Sequence, residues 1–391
     1  MDPFTHTLVG LTAAKAGLER LSPWAMTVCV VAANSPDSDI LVGLTTDRWN
    51  YLQHHRGITH SIVGVIALTV IVPSLVYAIE RGVAALRRRQ SKTSYRGLLL
   101  ASAIVTATHP LMDWTNNYGV RPFLPWSARW FYGDLVFIVD PYIWLIVGGA
   151  AFLAASKRWP NLALWSVIAA VLIVASFIAA SRPEAGVMSL QVVRIVLVAG
   201  IAALAFVRFF GFAKNHESQI AAIALCAIAI YWGGLALAHR NAYRKAVQLA
   251  NRVAARSNEK VLRTAAMPTL ANPLRWACVA ETDKAVYRFS IKLGSSSENA
   301  VSIVDGYQTH APESVERFEK PRGGAEELVS EASQDRRAQI LLGFARFPIA
   351  RVQDENCVTR TLVQFADLRY TEPGAGRGTF SLNVPVECPS K

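Results

Sequence analysis

Charged residues are scarce in this chain of 391 residues. Asp, Glu, Lys and Arg make up 17% of it, against roughly a quarter of an ordinary soluble domain. Hydrophobic residues make up 52%, a balance that argues against a soluble protein and is typical of a membrane protein with a soluble appendage. The segment Met1–His6 also lacks the basic residues of a cleavable signal peptide, so we expect the first membrane helices to direct insertion.

The basic residues are unevenly placed along the chain. The net charge is +12, which in a soluble protein would suggest a nucleic-acid partner. Here the basic residues lie between apolar runs, and the cluster Arg87–Arg89 has no interleaved aromatic residues, so we predict no binding of nucleic acid. The segment 80–96 holds six basic residues and one acidic residue, which is typical of a cytoplasmic loop between membrane spans.

Apolar runs predict the fold class. Two short apolar helices at 6–20 and 23–33 come first, and they either cross the bilayer at a tilt or insert half-way. Six later runs approach the length of a membrane span, which takes about 20 helical residues. We therefore predict an all-α polytopic membrane helix bundle followed by a small C-terminal α+β soluble domain. The six predicted spans are 61–79, 97–113, 135–156, 162–180, 190–212 and 220–237.

The chain changes character after about residue 240. A basic helix comes first, and later segments such as Val286–Ile291 alternate between polar and apolar residues in the manner of strands. Cys278, Cys357 and Cys388 lie in this last part, which leaves room for one disulfide if it is exported. The predicted regions are a membrane domain at 1–145, further transmembrane helices at 146–240, a basic linker helix at 241–264 and a soluble α+β domain at 265–391.

Histidine and aspartate residues gather at the ends of the first predicted membrane helices. Five of the eight histidines precede residue 110, and ionisable groups close to membrane segments usually serve a function. In an up-and-down packing these helix ends meet on one face of the bilayer. A single histidine or aspartate at a helix end is usually a cap, but the convergence of four segments favours a metal site. The predicted metal ligands are His6, Asp37, Asp39, His55, His60, His109 and Asp113.

The spacing of these residues fits metal coordination. His109 and Asp113 are four residues apart and so share one helix face, whereas Asp37 and Asp39 point the same way from an extended loop. Imidazole and carboxylate donors suit a divalent ion, zinc first and then manganese or iron. Seven candidate ligands exceed the needs of one tetrahedral ion, and two ions about 3.5–4 Å apart would account for the surplus.

Metal-assisted hydrolysis is the chemistry that this set of residues favours. A bound ion lowers the pKa of water, and Asp37 is the candidate general base. Arg56 stays protonated, so it either binds an anionic substrate such as a phosphate or extends to the membrane interface. Two other interpretations stay open: a divalent-metal transporter or sensor, and a non-catalytic membrane anchor with a structural metal.

Five short motifs carry a resemblance to a known family. They are Thr5–Gly10, Asn34–Asp39, His55–Ser61, Thr108–Asp113 and Asp134–Pro141. With these motifs in this order, the chain resembles the YdjM/YfhP-type family of LexA-regulated, membrane-bound metal-dependent hydrolases. The resemblance implies a divalent metal and a hydrolase activity.

The distribution of charge also predicts sidedness. Counting spans from the basic segment 80–96 places the His/Asp site and the C-terminal domain on the external face of a bacterial inner membrane, in a multi-pass topology. Substrates that reach such a site from within the bilayer are lipid-like. We therefore expect the lipid bilayer as the partner of this chain and a lipid-linked phosphate or ester as its substrate.

Overall fold

The first six helices form a continuous series along the chain. A computed structural model describes residues 1–155, 163, 165–167, 170–171, 187–211, 213, 215–294, 302–307, 314–354, 359–374, 378 and 380–388. Its first helices are α1 (Pro3–Ala16), α2 (Ala25–Asn34), α3 (Ile40–Thr45), α4 (Arg48–His54), α5 (Ile62–Leu86) and α6 (Tyr95–Trp114). Short 3-10 turns at Leu18–Arg20, Ser35–Asp39 and Ile58–His60 connect them. The later helices are Pro141–Ile143, Gly149–Ala155, Val187–Phe209, Glu217–Arg256, Gly324–Ala332 and Arg336–Phe344.

Helices α1 and α2 pack closely because the residues between them are small. A Cβ atom added at Gly10 would lie 2.7 Å from the carbonyl oxygen of Cys29 and 2.8 Å from the Cβ atom of Ala33. Ala13 and Ala14 of α1 belong to the same buried cluster as α2 and α6. Small side chains that allow close backbone approach are the usual means of packing membrane helices.

The predicted bundle of six clear spans is wrong. Among the described residues, two helices are long and apolar enough to cross a membrane, Ile62–Leu86 and Glu217–Arg256. The N-terminal pair is helical over Pro3–Ala16 and Ala25–Asn34, and both helices are shorter than a span. The described part of the chain also contains eight strands in two sheets, so α-helices do not account for it alone.

The number of membrane spans predicted from the apolar runs is too high, because an apolar run need not form one helix that faces the lipid. Within the run 135–156, the helical structure begins only at Pro141 and then passes through a π-helical segment, Trp144–Gly148. The run 97–113 is helical in α6, but this helix buries polar side chains that include Ser102 and Thr106. The predicted span 162–180 lies largely outside the described residues.

The chain divides into two compact units that are each built from separate segments. The first comprises Met1–Asp39, Arg56–Leu237 and Pro268–Pro273, and the second comprises Ile40–His55, Ala238–Met267 and Leu274–Lys391. The regions predicted from the sequence are each one continuous stretch of the chain, whereas each of these units combines three separate stretches. The predicted linker helix at 241–264 is, up to Arg256, the continuation of the 40-residue helix that begins at Glu217.

Two β-sheets characterise the second unit. The larger sheet has the order β1-β2-β3-β5-β4, with β4 and β5 parallel, and the smaller has the order β6-β7-β8. Trp276 and Tyr287 of the larger sheet are buried against Ala242 and Ala246 of the long helix. The strands are β1 (Val261–Thr269), β2 (Asn272–Thr282), β3 (Ala285–Lys292), β4 (Ile303–Asp305), β5 (Val315–Glu319), β6 (Pro348–Val352), β7 (Arg360–Asp367) and β8 (Ser381–Glu387).

The two described cysteines of this unit differ in whether they form a disulfide. Cys388 is disulfide-bonded, whereas Cys278 is a free, buried thiol. Cys357 lies outside the described residues.

Replacing Gly10 with valine tests the close packing of α1 on α2. We expect Gly10→Val to destabilise the protein by about 1–3 kcal/mol, because the added methyl groups overpack a well-filled contact. The matched control is Gly82→Val in α5, where an added Cβ has nothing within 4 Å. Thermal unfolding in detergent measures both variants, and equal midpoints for the two would contradict the close contact.

Candidate metal centre

Three separate segments of the first unit place histidine and aspartate side chains around one point. The 3-10 turn Ser35–Asp39 carries Asp37, the turn Ile58–His60 carries His60, and the last helical turns of α6 carry His109 and Asp113. One ligand atom from each of these four residues lies within 4.8 Å of all the others. The side chains of His60, His109 and Asp113 are fully buried, whereas that of Asp37 is 17% exposed.

The distances between these donor atoms describe a tetrahedron. His60 Nε2 lies 3.2 Å from His109 Nε2, 3.3 Å from Asp113 Oδ2 and 3.4 Å from Asp37 Oδ1. His109 Nε2 lies 3.4 Å from Asp37 Oδ1 and 3.4 Å from Asp113 Oδ2. A tetrahedral ion with bonds of about 2.0–2.1 Å separates its ligands by about 3.3 Å. Five of the six edges therefore have the length that a single tetrahedral ion requires.

Buried polar atoms without hydrogen-bond partners also point to a cation. Among the described residues, Asp37 Oδ2, Asp113 Oδ2 and His6 Nε2 are buried and accept or donate no hydrogen bond. Buried polar atoms are almost always paired, so such a cluster requires an explanation. A divalent ion between the donors supplies one, and the chemistry of the donor set fits zinc, manganese or iron.

Both histidines are held with Nε2 directed inward. His109 Nδ1 lies 2.6 Å from the carbonyl oxygen of Ala33, which can only accept, so the ring donates from Nδ1 and leaves Nε2 with its lone pair. His60 Nδ1 lies 3.1 Å from Thr59 Oγ1 and 3.4 Å from Asp39 Oδ2. Partners of this kind on the outer nitrogen orient most metal-binding histidines. Burial lowers the pKa of His60 to about 4, which keeps its ring neutral, as a ligand must be.

His6 lies beside the four-residue group. Its ring stacks on that of His109, with the centroids 3.7 Å apart, and its Nε2 lies 3.4 Å from Asp113 Oδ1. The amino group of Met1 also contacts Asp113. His6 therefore lies next to the carboxylate of Asp113, the aspartate that α6 contributes to the centre.

Arg56 is tied to the same carboxylate. Its guanidinium donates to Asp113 Oδ1 at 3.0 Å and to Asn116 Oδ1 at 3.0 Å, and it also reaches the carbonyl oxygens of Asp113 and Gly119. Its backbone N–H donates to Asp39 Oδ2 at 2.7 Å. Arg56 is 3% exposed and has a left-handed backbone with φ of 50°. The predicted contact of Arg56 with an anionic substrate stays a prediction, since the contacts described for its guanidinium are to the protein.

The remaining predicted site residues lie apart from the four-residue group. Asp39 faces the outer nitrogen of His60, and His55 stacks on Tyr51 within the second unit. Asp140, in the last of the five motifs, caps a helix by accepting from the backbone N–H groups of Tyr142 and Ile143. Sequence reasoning missed the roles of Asn116 and of the Ala33 carbonyl oxygen, because neither residue type marks a metal site.

Three carboxylates meet in this cluster. Asp39 accepts from the backbone N–H of Arg56, Asp113 accepts from the Arg56 guanidinium, and Arg121 interacts electrostatically with Asp39. Burial lowers the pKa of the Met1 amine well below its usual value of 8.0. Because buried charges need compensation, a cation among these carboxylates is favoured. The second ion predicted from the number of ligands stays a prediction.

Comparison with known proteins agrees with this arrangement of motifs. Residues 1–183 match the family of the YdjM inner membrane protein. This region is therefore similar to the YdjM family. The match confirms the resemblance predicted from the five motifs and covers all four residues of the tetrahedral group. It also identifies a family of inner membrane proteins, in agreement with the two helices that are able to span a bilayer.

One curated relative shares part of this region. The uncharacterized protein YfhP of Bacillus subtilis (strain 168) is 27% identical over 169 residues, which are 41% of this chain and 46% of that protein. The chain thus matches about half the length of this relative. No solved structure matches the chain.

Removing single candidate ligands tests the metal centre. We expect the detergent-purified protein to hold one divalent ion per chain, and His60→Ala and Asp113→Ala to retain less than about a tenth of it, because each removes one of few ligands. His55→Ala is the matched control and keeps its ion. Elemental analysis of preparations never exposed to chelator measures the content. A metal-free native protein, or loss of metal in His55→Ala, would contradict the assignment.

Proposed function

We propose that this protein is a membrane-bound hydrolase that uses a divalent ion, zinc by its donor set, to activate water. The observation that carries the proposal is the difference in exposure among the four clustered residues. His60, His109 and Asp113 are fully buried, and Asp37 alone is partly exposed. Catalytic zinc sites commonly combine three protein ligands with an open position for water or substrate.

Each residue of the centre has a role in this proposal. His60, His109 and Asp113 hold the ion, which supplies Lewis acidity toward water and toward a phosphoryl or acyl oxygen. Asp37, on the solvent side, accepts a proton from the attacking water. The water oxygen forms a bond to phosphorus or to the carbonyl carbon, and the leaving oxygen departs with a proton.

Two residues act through the ligands rather than on the substrate. Asp39 orients the ring of His60 through Nδ1, and Arg56 fixes the Oδ1 atom of Asp113 so that Oδ2 faces the ion. Partners of metal ligands commonly affect metal affinity or activity by about 10–100-fold. The proposal therefore assigns Arg56 a positioning role in place of the substrate-binding role considered from the sequence.

Exposed apolar side chains around the centre favour a lipid-like substrate. Ile58 and Ile62 flank His60, and Leu111 and Trp114 flank Asp113, and all four are exposed. Exposed apolar groups beside a polar site mark contact with a membrane or an apolar ligand. A phosphate or ester at the head of a lipid would reach the ion while its chains stay among these residues.

The centre is proposed to face the outside of the inner membrane. His60 lies at the N-terminal end of the candidate span Ile62–Leu86, and Arg87–Arg89 follow its other end. Basic residues remain on the cytoplasmic side, which directs His60 outward. The disulfide of Cys388 supports export of the C-terminal region as well, since disulfides persist in oxidising compartments.

A structural metal is the second candidate function. The observation that favours it is the set of five nearly equal donor distances, since four protein ligands close the coordination shell in structural zinc sites. In that case Asp37 is a fourth ligand and the ion holds the three segments together. A transporter is less well supported, because the group lies at helix ends and transporter sites usually lie near the bilayer midplane.

Asp37→Asn separates the catalytic from the structural interpretation. The assay follows release of phosphate or fatty acid from micelles of phosphatidic acid or phosphatidylglycerol. If Asp37 is the base, the variant keeps its metal and its thermal midpoint while hydrolysis falls by about 10²–10⁴-fold. If the metal is structural, Asp37→Asn loses metal and stability together, and the native protein hydrolyses neither lipid despite holding its ion.

A pair of cysteine variants tests the sidedness. In a Cys226→Ser background, Ile58→Cys lies beside His60 and Leu86→Cys lies at the opposite end of the same helix, and both positions are exposed. We expect a membrane-impermeant maleimide to label Ile58→Cys in intact spheroplasts and Leu86→Cys only after permeabilisation. The reverse pattern would place the metal centre in the cytoplasm.

A further inference from the structure

A cavity separate from the four metal-centre residues lies between helices of the first unit. Its volume is about 440 Å³, within the roughly 300–1,000 Å³ of ligand sites. Among the described residues, α1 lines it with Phe4 and Leu8, the π-helical segment lines it with Trp144 and Gly148, and the helix Val187–Phe209 lines it with Ile201 and other residues.

The cavity is elongated along the helix Val187–Phe209. This helix lines it from Leu197 to Phe209, a length of about 18 Å at the rise of an α-helix. The π-helical segment borders the same space, and π-helical turns occur frequently at functional sites. On the α1 side, the indole N–H of Trp144 donates to Thr5 Oγ1 at 2.7 Å, so this polar group is satisfied by the protein.

The lining of the cavity is apolar except for two of its described residues. Apart from Ser166 and Arg208, the described lining residues are aliphatic, aromatic or glycine. Arg208 lies in the last turn of its helix, at one end of the space. An arginine guanidinium binds phosphate oxygens through charge-assisted, often bidentate hydrogen bonds.

We propose that this cavity binds one acyl chain of an anionic phospholipid whose phosphate pairs with Arg208. The apolar, elongated space fits a hydrocarbon chain, and Arg208, the one cation among the described lining residues, complements a negative headgroup. The site is independent of the proposed hydrolase activity, since none of the described lining residues belongs to the four of the metal centre.

Native mass spectrometry of the delipidated full-length protein in detergent tests this site. The probes are phosphatidylglycerol and phosphatidylcholine with identical acyl chains. Sodium phosphate is the control that has a phosphate group but no acyl chain. We expect one phosphatidylglycerol per chain, bound about fivefold more tightly than phosphatidylcholine, as one basic residue near a membrane surface contributes about 1 kcal/mol. Inorganic phosphate neither binds nor competes, because the acyl chain of the lipid makes most of the contact with the cavity.

Two matched pairs of variants locate the bound lipid. Ala205→Phe fills the cavity and weakens both lipids by at least about tenfold, whereas Ala203→Phe, at an exposed position of the same helix that does not line the cavity, leaves binding unchanged. Arg208→Gln removes the preference for phosphatidylglycerol, and Arg208→Lys keeps it. Metal content stays at the native value in all four, which shows that they fold.

Three results would overturn the proposal. The first is equal binding of both lipids to the native chain, and the second is unchanged binding in Ala205→Phe. The third is competition by inorganic phosphate, which would show a headgroup site without a chain site.

Discussion

The cost of burying charge among apolar helices governs the organisation of this protein. An isolated carboxylate removed from water is destabilising by several kcal/mol unless it is paired, and three carboxylates converge within the first unit. Asp39 accepts from the backbone of Arg56, Asp113 accepts from its guanidinium, and Asp37 faces two imidazole rings. Asp37 and Asp113 also belong to the His/Asp group whose spacing suits a metal ion, so the same contacts shape the fold and that group.

Close helix packing makes this arrangement attainable. Gly10 lets α1 approach α2 at Ala33, and the carbonyl oxygen of Ala33 in turn fixes the ring of His109. A substitution in α1 can therefore reach the metal centre without contacting a ligand. The same packing leaves Asp37 as the solvent-facing member of the group, which is the geometric basis for assigning it to water activation.

The fold was only partly predictable because hydropathy reports composition and not the path of the backbone. The apolar runs around Ile62–Leu86 and Glu217–Arg256 correspond to helices that are able to span a bilayer. The residues of the run 135–156 that precede Pro141 are mostly apolar but not helical. Among them, Val136 packs in a buried apolar cluster with Leu8 and Met112. The long helix that links the membrane part to the strands also continues past the point where the sequence turns polar.

The sequence by itself determined which chemistry gathers in the first 115 residues. The spacing of His109 and Asp113 on one helix, and the His and Asp residues at the ends of other segments, were sufficient to predict a His/Asp centre in the region that matches the YdjM family. Only the tertiary structure separated residues of the tetrahedral group from their neighbours. The left-handed backbone of Arg56 turns the chain between His55 and His60, so that His60 enters the group while His55 stacks on Tyr51. Which side chains enter the group depends on how the turns pack in the folded protein. The spacing of the residues along the chain does not determine this packing.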